Sequence, residues 1–343
     1  MALPAAPIDT LRATTPLFDA LGRALATGDA DALVDLSMAE TGGRRDLALA
    51  LLTIHDLHLA PVFDLGDRAR FQHHPAIASL KQRLEATFLA RLADGSRPAT
   101  GPAIDEMRKV AATDLTPPLY DFLAETASAE DLSTYLSLEG GPDGGFDDLV
   151  ALCQIGIVGE AKLELATNYW DEMGRGSAAA VHTELHRRMA QALGLRDIER
   201  TAQPTEALER SLLGTTLATN RALQPELIGA LGLLELQAGP RCRRVVRGLK
   251  RLGAGNDALA FYEEHAVADP RHGKDWLDHV VGPLSSEFPG WGARIVQGAR
   301  WRSTVNARFF AMAPTWLGLD PVIVQHGVTI NGAKPAARIQ QTA

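Results

Sequence analysis

His265, Asp269 and His272 stand at i, i+4 and i+7 in the segment FYEEHAVADPRHGKDW. At about 100° per residue they fall within about 60° of one another on a helix, so one helix can present two imidazoles and a carboxylate together. That donor set suits a metal ion. Taken alone, it competes evenly with a polar stripe on a solvated helix face. Two other segments shift the balance. Glu164 and Asp171 in EAKLELATNYWDEMG are seven residues apart, which returns them to within about 20° of one face. Glu235 is embedded in GALGLLELQAG without another charge, and a lone buried carboxylate costs several kcal/mol. Neither Arg221 nor Arg241 has the i±3 or i±4 spacing that would pair with it along a helix. A metal is the economical partner, a distant Arg or His the other.

Glu164, Asp171, Glu235 and Asp269 carry four negative charges and His265 and His272, when neutral, none. Two divalent ions would balance them. Oxygen-rich ligation with two imidazoles and no thiolate favours iron or manganese over structural zinc, and six side chains shared by two ions leave positions open for water, dioxygen or substrate. Asp171 has a short stem, and Glu172 beside it is the fallback although rotated about 100° away. Pro270 lies inside the triad; it either aims the ligands by a kink or breaks the motif.

The elements that must position these groups read as helices. Strand signals are nearly absent, and Thr15-Pro16, Ser128 with Asp131, Ser177 and Pro225-Glu226 each resemble a cap opening an apolar-periodic run. The pattern predicts an all-α fold with helices over 118–139, 146–173, 177–193, 205–221, 225–238, 240–252, 256–282 and 290–312. Thr116-Pro117-Pro118 marks a boundary, because paired prolines resist helix continuation. Three regions follow: a helical N-terminal region over 1–115 packing on the core, a helical core over 116–316, and an arm over 317–343 that loses periodicity and is expected to be disordered.

Composition excludes several function classes. A formal charge of −8 argues against a nucleic-acid partner, which needs a basic footprint. The run RCRRVVRGLKR from Arg241 to Arg251 is read as a solvated helix face. Cys153 and Cys242 cannot build a disulfide framework, and neither a signal-peptide pattern nor a run of ~18 apolar residues occurs. A soluble, cytoplasmic protein without membrane association is expected. His55 and His58, with His73 and His74 nearby, are read as packing or surface residues rather than a second metal cluster. His182 and His186, one turn apart, are read as structural, with His182 as the candidate to approach the site. No E-x-x-H occurs, which disfavours a ferritin-like site, and there is no P-loop or dinucleotide fingerprint.

An E-x6-[D/E/H] pair, a later lone Glu and then H-x3-D-x2-H resembles, in that order and spacing, the iron-containing redox enzymes of the heme-oxygenase-like di-iron oxidase superfamily. The likeness covers about Ser128 to Val280, and NYWDEMGRG also resembles the segment that follows the first ligand pair. The resemblance implies a seven-helix heme-oxygenase-like core without heme, preceded here by an additional N-terminal helical region. It implies two irons, one labile if Asp171 reaches poorly, with manganese as the alternative metal. By position, Glu164, Asp171, Glu235, His265, Asp269 and His272 become ligands, with Glu139, Glu172 and His182 as weaker candidates. The implied activity is an oxygen-dependent oxidation of an amine, amino acid or fatty acid by N-oxygenation, desaturation or C–C cleavage. Its partners would be O2, a small-molecule substrate and an external electron donor, and a homodimer is allowed. The rivals are a metal-poor helical binding protein of the same fold, and a heme- or pterin-pathway enzyme sharing only the bundle.

Overall fold

A computed structural model describes residues 14–93, 99–139 and 145–319. The described residues are helical throughout and contain no strand, as the sequence pattern predicts. In chain order the helices are α1 (Pro16–Thr27), α2 (Ala30–Leu36), α3 (Arg44–Leu59), α4 (Val62–Leu65), α5 (Pro75–Leu92), α6 (Ala103–Thr113), α7 (Pro118–Glu125), α8 (Ala129–Glu139), α9 (Phe146–Cys153) and α10 (Gly159–Glu172). They continue as α11 (His182–Leu193), α12 (Thr205–Ala218), α13 (Gln224–Arg251), α14 (Asn256–Asp275), α15 (Gly282–Glu287) and α16 (Trp291–Trp316). Between α14 and α15 the chain forms a π-helical turn, Trp276–Val281. Most of the expected C-terminal arm, residues 320–343, lies outside the described residues.

α13 is the axis of the fold. Its 28 residues span about 42 Å at 1.5 Å per residue, and it packs on α14, α16, α7, α12 and α6. Close packing on α16 depends on two glycines: a Cβ on Gly229 would lie 1.7 Å from the Ile295 carbonyl oxygen, and one on Gly298 would lie 1.9 Å from that of Glu226. Along α13, Leu227 to Leu233 join one apolar core with the N-terminal helices. Cys242, Val245 and Leu249 join a second core with α7, α8, α11 and α14. Glu235 falls at the junction between the two.

Several expected boundaries shift for identifiable reasons. The predicted helix over 118–139 is two helices, because Ser128 and Asp131 form a reciprocal capping box: the Asp131 amide donates to Ser128 Oγ at 3.1 Å and the Ser128 amide to Asp131 Oδ2 at 2.8 Å. The predicted helix over 146–173 is also divided, with Gly156 and Gly159 at φ +79° and +66° in the break. Conversely, the expected helices over 225–238 and 240–252 are one, since α13 runs through Pro240. α14 likewise runs through Pro270, so the motif is intact. That proline's ring packs in the notch at Gly239, where a Cβ would lie 2.8 Å from Pro270 Cδ. Ser177 opens no α-helix, because α11 begins at His182.

The arginine-rich run is only partly solvated, contrary to its reading from sequence. Arg241 is buried and donates to the carbonyl oxygens of Leu115 at 3.0 Å and Asp114 at 2.5 Å. Arg251 donates to those of Ala124 at 3.0 Å and Ala127 at 2.6 Å, which supplies partners for carbonyls at the end of α7. Near the N-terminus, the buried Asp46 carboxylate accepts from the amides of Leu17 and Phe18 at 3.2 and 2.9 Å and so caps α1. Arg44 pairs with Glu209 on α12 through two hydrogen bonds of 2.9 and 2.6 Å. His55 is buried between Thr215, 2.8 Å from Nδ1, and Glu85, 3.1 Å from Nε2. No described helix is long and apolar enough to cross a membrane.

Candidate metal centre

Among the described residues, two groups of side chains place ligand atoms within 4.8 Å of one another: Glu172, His182 and His265, and Glu235, Asp269 and His272. In the first, Glu172 ends α10, His182 begins α11 and His265 comes from the middle of α14. Glu172 Oε2 is 2.7 Å from His182 Nδ1, and the two imidazole centroids are 4.5 Å apart. His265 Nδ1 donates to the Phe261 carbonyl oxygen one turn back at 2.7 Å; a carbonyl oxygen can only accept, so Nδ1 carries the hydrogen. Nε2 is therefore the nitrogen His265 offers as a ligand.

In the second group, His272 Nδ1 lies 3.5 Å from Glu235 Oε2 and 3.8 Å from Asp269 Oδ1. Asn168, one turn before Glu172, donates from Nδ2 to Glu235 Oε1 at 2.8 Å. All three residues of the group are at most 4 % exposed. Burying two carboxylates this deeply without compensation would be costly.

The charges report the strain. Burial raises the Asp269 carboxyl well above its ordinary range, and the nearby Glu235, Glu172 and Glu264 raise it further. Glu172 is raised by burial and by Glu235 against the pull of His182 and His272, so the two groups share one electrostatic environment. Burial pulls His265 down to about 3, with His182, His272 and His186 adding to the effect. For His272 burial also pulls downward, but the nearby Glu235 carboxylate and the hydrogen bond to Asp171 outweigh it and hold it at about 9.

The residues fit a metal. Asp269 Oδ2 and His272 Nδ1 are buried without a hydrogen-bond partner, an arrangement rare for protein groups unless something else satisfies them. Each group offers at least one imidazole and one carboxylate and no thiolate, a donor chemistry of iron and manganese. Both ions could be held without a residue changing helix.

Four of the expected ligands, Glu235, His265, Asp269 and His272, are brought together. Two are not. Glu164 is half-buried, its carboxyl raised by burial and by Asp275, and it joins neither group. Asp171 is buried but its oxygens are taken by Arg175 Nε at 2.7 Å, Arg271 at 2.5 Å and His272 Nε2 at 2.8 Å. Those bonds overcome the opposing effect of burial and hold its carboxyl down at about 2. The reason is rotational: α10 turns the stripe of Asn168 and Glu172, an i, i+4 pair, to the site, and Asp171 is about 100° round from Glu172. The weaker candidates Glu172 and His182 take their place. Glu139 joins neither group; its carboxylate accepts from Tyr120, Tyr135 and Tyr262 at 3.1, 3.0 and 3.0 Å.

Sequence reasoning missed Asn168, Arg175 and Arg271. Asn168 carried a usable signal, a polar residue one turn from Glu172 on an inward face. Arg175 carried none, since the φ of +53° that places it is not legible in MGRG.

A family model described as iron-containing redox enzyme matches residues 135–307, half of the chain and all six residues of the two groups. No curated protein matches the chain. With its all-helical architecture and two buried carboxylate–imidazole groups inside the matched region, the chain belongs to the iron-containing redox enzymes of the heme-oxygenase-like superfamily.

Proposed function

We propose that the protein is a non-heme di-iron oxidase that uses O2 to oxidise a small organic substrate. Glu172, His182 and His265 would hold one iron, and Glu235, Asp269 and His272 the other. The observation that carries the reading is the pair of adjacent groups, each with imidazole and carboxylate donors, the fully buried second one with the orphaned ligand atoms Asp269 Oδ2 and His272 Nδ1. Bound there, iron would supply the reduction of dioxygen and the oxidation of a C–H bond or an amine, with electrons from an external donor.

The chain's own residues support that chemistry by holding geometry and excluding water. Phe261 fixes the His265 ring through its carbonyl, and Asn168 fixes Glu235. With three ligands drawn from α14 and the others from α10, α11 and α13, the site is braced on rigid elements, which keeps ligand distances from drifting. Burial of both groups keeps bulk water from quenching reactive species. An amine, an amino acid or a fatty acid would suit such a site. Neither Asp171, which stands outside both groups, nor Pro270, which leaves α14 intact, argues for a metal-poor relative.

Anaerobic titration with Fe(II), followed by oxygen exposure with optical and Mössbauer spectroscopy, tests the reading. Two equivalents of non-heme iron and oxygen consumption are expected. Absence of iron binding sinks it in favour of a binding protein, and a Soret band on adding heme would favour a heme-pathway enzyme.

A further inference from the structure

His265 and His272 are seven residues apart on α14, yet they turn different nitrogens inward. His265 spends Nδ1 on the Phe261 carbonyl and keeps Nε2. His272 does the reverse: its Nε2 lies 2.8 Å from Asp171 Oδ2, and its Nδ1 is buried, unpartnered and directed at Glu235 and Asp269. A carboxylate oxygen is acceptor only, so a lone pair on Nε2 at that distance would face another lone pair. Nε2 must carry the hydrogen. The contact of 3.1 Å between Arg271 and the same nitrogen follows from Arg271 and His272 both donating to Asp171 Oδ2.

Asp171 in turn is held from both sides. Arg175 donates to Oδ1 at 2.7 Å and Arg271 to Oδ2 at 2.5 Å, and Arg175 also reaches Glu264 on α14 at 3.2 Å. With three donors on its two oxygens the carboxylate has a fixed orientation. We propose that Asp171 is a positioning residue, held by Arg175 and Arg271, that fixes His272 as the Nε2–H tautomer so that it meets metal through Nδ1 while His265 meets metal through Nε2. The inference rests on the metal-centre reading above and deepens it. A carboxylate behind a ligating imidazole orients the ring and raises its basicity, and loss of such a partner lowers metal affinity by about 10–100-fold.

Zn(II) is the probe, added to the full chain labelled with 15N-histidine. Long-range 15N–1H spectra of the wild type should show His272 metal-bound at Nδ1 with a slowly exchanging Nε2 proton, and His265 metal-bound at Nε2. No variant is needed for that measurement. Asp171→Asn should keep the zinc stoichiometry, lower the affinity of one equivalent about 10–100-fold and abolish the slow exchange of the Nε2 proton. Zinc held by His272 through Nε2 overturns the inference and leaves the metal centre standing. So does an Asp171→Asn protein of unchanged affinity, or one that loses a whole equivalent as His272→Ala would, since Asp171 would then be a ligand. Failure of the wild type to bind zinc at all overturns both readings.

Discussion

Glu172 and His182 are ten residues apart in the chain and their side chains meet at 2.7 Å. The pairing spans the end of one helix, a turn with Arg175 at positive φ and the start of the next. Both side chains are at most 4 % exposed, so each answers the other's burial. Replacing His182 with alanine is expected to lower iron affinity at one site by at least about 100-fold, as loss of a direct ligand should exceed loss of an outer partner. Glu164→Gln should leave both equivalents in place. Iron content after gel filtration distinguishes these outcomes, and a Glu164→Gln protein that loses iron would restore Glu164 as a ligand.

The two groups differ in charge. With neutral imidazoles, the first carries one carboxylate and the second two, so a hard divalent ion is expected to fill the second first. Mn(II) titration followed by electron paramagnetic resonance should show one tight and one weaker equivalent. His272→Ala should remove the tight one and His182→Ala the weaker one, while the thermal midpoint of the metal-free protein moves by less than a core cavity would cause, about 1–3 kcal/mol.

Glycine substitutions should separate contact from propensity. Gly229→Ala places a methyl group against a backbone oxygen of α16, and backbone cannot step aside as a side chain can, so a loss of about 3 kcal/mol or more is expected. Gly22, in α1, has nothing within 4 Å of the position its Cβ would take. Gly22→Ala should therefore stabilise the protein by about 0.5–1 kcal/mol. Urea midpoints check both signs.

Acid should destabilise the fold in a window set partly by His58. Burial first, then the charges of Lys81, His55 and His73, lower its pKa from 6.5 to about 4, and its Nδ1 accepts from Gln72 at 3.1 Å. The unfolded chain takes up this proton near 6.5 and the folded one only near 4, so stability is fully present above 6.5 and declines as pH falls through that interval. Urea midpoints at pH 7 and pH 5 should converge in His58→Gln. An undiminished gap would assign the loss to the other histidines whose pKa values burial lowers, His55, His186 and His265.

What the sequence revealed and what it hid follow from the range of each interaction. The triad on α14 was legible because all three residues share one helix face, and Glu235 because a lone charge among leucines requires a partner. Glu172 and His182 were poorly legible, since their spacing of ten matches no helical period and is bridged by a folded turn. The reading of Gly239-Pro240 as a helix stop obeyed local propensity, which α13 overrides by packing on nearly every side. The notch at Gly239 that receives Pro270 explains both residues together, and neither explains itself alone.

The π-turn at Trp276–Val281 has a consequence for how this sequence can vary in length. A π-turn is one residue longer than the α-helical path it replaces, so removing a single residue there returns the chain to regular α-helix without rotating either flank. Asp278 and His279 are the least buried of the six. Within α14 a deletion between His265 and His272 would rotate the side chains on its two sides by about 100° relative to one another, and His265, Asp269 and His272 would no longer share a face. This turn is therefore a place beside the candidate metal ligands where a related sequence can be one residue shorter and still keep their alignment.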